Sequence, residues 1–347
     1  MREVNYNHRD TSRRRRRRRK KSHRMSLAHK VTLFVSLIFI LLFAAAVKFC
    51  LLPALTGSGM ESYNAPPSSL ISTEETKAAS PAVTMDTLYS PCAILKELDS
   101  GDILASRNAS ERIYPASLTK IMTALLAIEN TPDLDQPIGL PEELFSELYF
   151  RHASVAGFQP GESVKGRDLL YGILLPSGAE CCLAFANAIS GSEEAFTILM
   201  NRKAEELGMK NTRFANSTGL HEEGLYSTAE DLSILLTYAL GNEEFRKVFT
   251  TSRYTTSPID IHPDGITFVS SMFQSLDSAS IPGGEILGGK TGYTSEAGLC
   301  LASLALINGR EYILVTAGAA GDHQTDPYHL LDAQNIYGQL GLSLIHI

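Results

Sequence analysis

The stretch VTLFVSLIFILLFAAAV, residues 31–47, carries no charged side chain and follows directly on the most basic part of the chain. A helix that crosses a bilayer core needs roughly 20 apolar residues, with about 17 as the lower end. Phe49, Cys50, Leu51 and Leu52 lengthen the stretch beyond the single Lys48. Upstream, arginines fill positions 13–19 without a break, and Lys20 and Lys21 follow. Positive charge stays on the cytoplasmic side of a membrane. The order therefore predicts a basic cytoplasmic segment (1–30), a transmembrane signal-anchor (31–52), and a remainder that lies outside the cytoplasm. That amounts to a single-pass protein of the cell membrane whose membrane contact is its N-terminal helix. Ala44-Ala45-Ala46 has the look of a cleavage site, but the basic region is long for a signal peptide, so the segment reads as an uncleaved anchor. An arginine run is also a candidate nucleic-acid arm. The apolar segment that follows at once sets that reading aside, and no nucleic-acid partner is expected.

The first 30 residues hold 13 Lys and Arg against Glu3 and Asp10, a net of +11. The remainder therefore carries −18 within a total of −7. Residues 53–86 are rich in Ser, Thr, Pro, Ala and Gly, with Pro66-Pro67 and Ser68-Ser69, and show no sustained apolar period. They read as a flexible linker. Residues 87–342 are long enough to bury a core of their own. The five cysteines form no C-x-x-C pair, so neither a zinc nor a redox motif is supported, and buried apolar packing is the expected use.

Periodicity orders this body. Ala93-Ile94-Leu95, a turn at Asp99-Ser100-Gly101-Asp102, and Ile103-Leu104-Ala105 make a first hairpin. Residues 299–306 and 312–316, joined through Asn308-Gly309, make another, since Asn-Gly favours a type I′ turn. Residues 288–294 form a further strand. Between them lie helical stripes at Ile121, Met122, Leu125, Leu126 and Ile128, then at Leu169, Leu170, Ile173 and Leu174. Others fall at Phe196, Leu199 and Met200, and at Leu232, Leu235, Leu236 and Ala239. A last helix is expected over about 327–340. The pattern predicts an α+β member of the α/β proteins: an antiparallel sheet built from both chain ends, with an inserted helical subdomain.

Three short motifs could carry chemistry. Pro115-Ala116-Ser117-Leu118-Thr119-Lys120 opens the first helix, and three-residue spacing puts Ser117 and Lys120 on one face. A lysine kept neutral by burial could accept the serine proton; the plainer reading is a capping serine beside a surface lysine. Pro176-Ser177-Gly178-Ala179 precedes another helix and offers a second hydroxyl, or merely a cap. Gly288-Gly289-Lys290-Thr291-Gly292 offers a cation and a hydroxyl to a carboxylate, with glycines that let a substrate backbone approach a strand edge. The longer string 284–291 also satisfies the phosphate-loop pattern G-x-x-x-x-G-K-T. Such a loop must open a helix at its lysine, and Gly292, Thr294, Ser295 and Gly298 are poor helix sequence. No G-x-S-x-G elbow and no H-E-x-x-H pair occur.

In this order, S-x-x-K, S-x-x and K-T-G resemble the signature of penicillin-binding proteins and serine β-lactamases. The stretch 115–125, Asn211-Thr212-Arg213-Phe214, Thr218-Gly219-Leu220, 226–232 and Lys290-Thr291-Gly292-Tyr293-Thr294 are similar to the serine D-alanyl-D-alanine carboxypeptidases of the S11 peptidase type, over roughly 91–337. The resemblance implies the β-lactamase/transpeptidase-like fold and no cofactor. It implies that peptidoglycan stem peptides ending in D-Ala-D-Ala are substrates and that β-lactams are covalent inhibitors. It implies catalytic roles for Ser117 (nucleophile), Lys120 (general base) and Ser177 (proton transfer to the departing D-alanine). Lys290, Thr291, Gly292 and Tyr293 would bind substrate, the first two at the terminal carboxylate, and the N–H groups of Ser117 and Tyr293 would hold the oxyanion. One position departs from the family: Ala179 stands where Asn is usual. A serine β-lactamase would need a glutamate to activate water, and the nearest string is Glu222-Glu223-Gly224-Leu225. A non-catalytic peptidoglycan-binding or penicillin-sensing domain has Ala179 as its support.

Overall fold

The computed structural model describes residues 83–345 except Asp260, with the side chains of the last two of these left aside. The basic segment, the anchor and most of the linker lie outside the described residues. Among those described, no helix is long and apolar enough to cross a membrane.

In chain order the elements are β1 (Cys92–Glu97), β2 (Ile103–Arg107), a 3-10 turn (Ala116–Leu118), α1 (Thr119–Asn130), β3 (Pro137–Gly139), α2 (Phe145–Phe150) and β4 (Ser163–Lys165). Then come α3 (Gly166–Leu174), α4 (Ala179–Ser190), α5 (Glu193–Leu207), α6 (Ala229–Leu240), α7 (Glu243–Phe249), β5 (Arg253–Thr255) and β6 (Thr267–Val269). The chain closes with α8 (Ser271–Ser275), β7 (Ser280–Ile281), β8 (Gly284–Thr294), β9 (Gly298–Ile307), β10 (Arg310–Ala319) and α9 (Tyr328–Ile345). Six strands form one antiparallel sheet in the order β2-β1-β10-β9-β8-β7, so its two ends come from the two ends of the body. β3–β4 and β5–β6 are separate two-stranded pairs.

The central strands read as apolar runs because both faces of the sheet are covered. Successive strand side chains point to opposite faces. On one face Cys92, Ile94, Cys300, Ala302, Leu304, Ile313 and Val315 join the helical core with α1, α3, α4 and α6. On the other, Ala93, Leu95, Leu301, Ala305, Tyr312 and Leu314 pack under Leu330, Ala333, Ile336, Tyr337 and Leu340 of α9. The spacing of those α9 residues is that of one helical face. Tyr337 is fully buried, and its hydroxyl meets the Ser303 hydroxyl at 3.1 Å. At the β9–β10 turn Asn308 and Gly309 have φ of 49° and 78°, as a type I′ turn requires.

Two boundaries move relative to expectation. The last helix continues to Ile345 instead of ending near Leu340. The body also starts slightly before residue 87: Met85 is buried against the α9 face, and the Thr84 N–H donates to Gln339 Oε1 at 3.0 Å. An isolated apolar residue in a Ser-, Thr- and Pro-rich context gives no periodic signal, so the sequence shows no edge there. Cys92, Cys181, Cys182 and Cys300 are free and buried, as apolar packing predicts.

Candidate active site

The 3-10 turn at Ala116–Leu118 delivers Ser117 to the mouth of α1. Ala116 adopts φ of 46°, a left-handed value costing a non-glycine residue on the order of 1 kcal/mol. The Pro115 carbonyl closes the turn by accepting the Leu118 N–H at 3.1 Å. The N-cap of α1 is Leu118 and has no side-chain cap, so Ser117 is not spent on capping. Two glycines permit the crowding around it. A Cβ on Gly219, which has φ of +80°, would meet the Ala116 carbonyl oxygen at 1.9 Å. A Cβ on Gly292 of β8 would come within 3.1 Å of the Ser117 nitrogen.

One helical turn on, Lys120 is 3% exposed and its Nζ lies 3.1 Å from Ser117 Oγ. The same Nζ donates to the Thr218 carbonyl at 2.5 Å. Burial pushes the Lys120 ammonium below its ordinary range. This is not the surface lysine of the plainer reading.

Ser177 occupies the turn between α3 and α4 with φ of 68°. The N-cap of α4 is Gly178, again without a side-chain cap, which removes the capping role for Ser177 as well. The buried Ser177 hydroxyl instead accepts from Lys290 Nζ at 2.9 Å. Lys290 comes from the middle of β8, is fully buried, and also donates to the Thr291 carbonyl at 2.8 Å. Burial, followed by the positive Lys120 nearby, holds its ammonium well below the usual value. The string 284–291 lies within strand β8, so no helix opens at Lys290 and the phosphate-loop pattern has no structural counterpart.

Two cavities meet at Ser117. One, of about 190 Å³, is lined by Ser177, Ser271, Ser275, Thr291, Gly292 and Tyr293 among others. The other, of about 360 Å³, runs past Lys120, Ala179, Thr218, Tyr293 and Glu296. The Thr291 and Ser271 hydroxyls sit 2.6 Å apart at the first. Lys290 lines neither cavity and faces them through Ser177 and Thr291. Glu222, the glutamate nearest to a β-lactamase pattern, lines a separate cavity beside α2 and the start of α5. Among the described residues no group of three or more His, Cys, Asp or Glu could hold a metal.

The structure thus brings six of the seven residues singled out in the sequence to the adjoining cavities at Ser117, and sets the seventh, Lys290, directly behind them. It adds several that sequence reasoning missed. Thr218 acts through a backbone oxygen, which no residue type announces. Ser271, on α8, and Ser154, in the segment after α2, carry no motif. Glu180, fully buried, has its Oε1 on the N–H groups of Ala156 at 2.6 Å and Gly157 at 3.0 Å.

A sheet from both chain ends, a helical insertion between its strands, and a serine–lysine pair at the first helix define the penicillin-binding, β-lactamase-like fold. The DD-transpeptidase of Streptomyces K15 superposes with a TM-score of 0.67 at 27% identity, over 74% of this chain and 99% of that one. A family model described as D-alanyl-D-alanine carboxypeptidase, peptidase S11, matches residues 75–321, and the chain belongs to that family. It is 38% identical over 237 residues to the D-alanyl-D-alanine carboxypeptidase DacF of Bacillus subtilis, covering 66% of this chain and 57% of that one. It is 31% identical over 255 residues to a D-alanyl-D-alanine endopeptidase of Pseudomonas aeruginosa, covering 72% and 76%. The chain spans little more than half the length of the DacF protein it matches.

Proposed function

We propose that this protein is a serine D-Ala-D-Ala carboxypeptidase that removes the terminal D-alanine from peptidoglycan stem peptides. The observation that carries the reading is a buried amine, its pKa lowered by that burial, 3.1 Å from a serine hydroxyl that caps no helix and opens on a cleft. Ser117 Oγ attacks the carbonyl between the two D-alanines while Lys120 Nζ takes its proton. The oxyanion forms between the N–H groups of Ser117 and Tyr293, in keeping with the close approach of β8 to the Ser117 nitrogen. The C–N bond breaks, the departing amine receives a proton by way of Ser177, and water then releases the shortened peptide from Ser117. The small hydroxyl-lined cavity suits one residue with a free carboxylate, held by Thr291 and Ser271. An anion arriving there favours the protonated form of Lys290, which then adds charge from behind Ser177. A β-lactam presents the same carbonyl and carboxylate and acylates the same serine.

The membrane reading follows from the basic segment and the apolar stretch: a single-pass anchor at 31–52 and a catalytic body outside the cytoplasm, where peptidoglycan is. Release of D-alanine from a diacylated tripeptide ending in D-Ala-D-Ala tests the activity. The wild-type chain should release it and Ser117→Ala should not. No release by the folded wild type, or release that persists in the variant, would overturn the reading. Alkaline carbonate extraction tests the anchor: the full chain should stay with membranes, and recovery in the soluble fraction would count against it.

A further inference from the structure

The two cavities share four lining residues: Ser117, Ser154, Tyr293 and His323. They form a collar around the point where the bond to be cut must lie, because Ser117 is there. Ser117 and Tyr293 already have work in the proposed reaction. His323 packs edge-on against the Tyr293 ring at 4.8 Å between centroids, on the β8 side. Ser154 is the remaining member, and it comes from the opposite wall.

That wall is held firmly. The Ala153 N–H donates to the Leu148 carbonyl at 3.0 Å, and the Ser154 carbonyl accepts the Ala179 N–H at 2.8 Å. Next along the chain, the Ala156 and Gly157 N–H groups end on the buried Glu180 carboxylate. A Cβ on Gly178 would lie 2.8 Å from the Ala156 Cβ, so segment and turn are in close contact. Ser154 itself stays exposed within this frame. The neighbouring side chain facing the cleft is the Ala179 methyl, which can make no hydrogen bond. Ser177, deeper in, is engaged with Lys290.

A peptide laid along β8 uses the backbone groups on one of its edges for the strand, and those of the next residues point the other way. We propose that the Ser154 hydroxyl is a further substrate-contacting group: it donates a hydrogen bond to the carbonyl oxygen of the residue that precedes the one whose carbonyl Ser117 attacks, from the side opposite β8. This rests on the peptide-cleaving reading given above. In this chain the contact is made from the segment after α2, and not from position 179 at the start of α4.

The test uses the full chain in detergent, with D-alanine release and benzylpenicillin acylation measured side by side. Loss of one hydrogen bond to substrate predicts a fall in kcat/KM of about fivefold to tenfold for Ser154→Ala. Its melting temperature should match the wild type, because the hydroxyl is exposed. Ser154→Thr, which keeps a hydroxyl, should retain most activity. Ala179→Asn in the Ser154→Ala background sets an amide on the same wall and should recover most of the loss. Ser154→Ala at wild-type kcat/KM overturns the proposal, and so does a loss that tracks a lowered melting temperature without recovery by Ala179→Asn. If the wild type releases no D-alanine, the carboxypeptidase reading fails separately. The acylation rate of Ser154→Ala relative to wild type then still decides the role of Ser154: a slower rate supports it and an equal rate overturns it.

Discussion

The site contains two serine–lysine pairs that look alike in composition and differ in how they are built. Ser117 and Lys120 are three residues apart on one helical start, and Lys120 Nζ lies 3.1 Å from Ser117 Oγ. Ser177 and Lys290 are 113 residues apart, one on a strained turn and the other in mid-strand, and meet at 2.9 Å. The first pair lines the open cleft, whereas in the second only the hydroxyl does. The local pair is set within one short stretch, by the 3-10 turn that carries Ser117 and the first turn of α1 that carries Lys120. The distant pair exists only once the sheet and the helical layer have docked. The difference suggests a division of labour. In the proposed reaction the local pair would make the acyl bond, whereas in the distant pair Ser177 would pass a proton to the departing amine and Lys290 would respond to the charge of what binds.

The sharpest way to break this comparison is to remove each lysine in turn. Lys120→Met should cost the acylation rate about 10³- to 10⁴-fold, the range expected for loss of a positioned general base, as read by stopped-flow acylation with a β-lactam. Lys290→Met should cost less, about 10²-fold, with the loss shrinking for a substrate whose terminal carboxylate is amidated. Equal losses that ignore the carboxylate would erase the distinction. Thr291→Val should raise KM about tenfold and leave kcat nearly unchanged, since it removes a contact made equally in ground and transition states. The pH profile sharpens the local half. Lys120 can act as a base only when deprotonated, and burial lowers its pKa. Acylation should therefore fall as pH falls, with its midpoint below the ordinary lysine value of about 10.4. A limb at the ordinary value would mean that the amine is not desolvated in the working enzyme.

The same contrast governs what could be read from the sequence. The Ser117–Lys120 spacing was visible because a helix converts sequence distance into spatial distance by a fixed rule. Ser177 and Lys290 were visible only as separate weak strings, and their hydrogen bond was not. The strands β9 and β10 were legible because burial on both faces leaves long apolar runs around an Asn-Gly turn. The pairs β3–β4 and β5–β6 have three residues per strand, too few for a period to show. Ala116 and Ser177 take positive φ without being glycine, which no composition rule reports. The Thr218 carbonyl is a backbone atom, and its place depends on Gly219 tolerating the approach of Ala116.

The central claim is that Ser117 becomes acylated with Lys120 as its base. Intact-mass spectrometry of the protein after brief exposure to benzylpenicillin, followed by peptide mapping, tests it most directly. The account predicts one long-lived penicilloyl group on Ser117 in the wild type and none in Ser117→Ala. An adduct on another residue, or no adduct on a folded wild type, would contradict it.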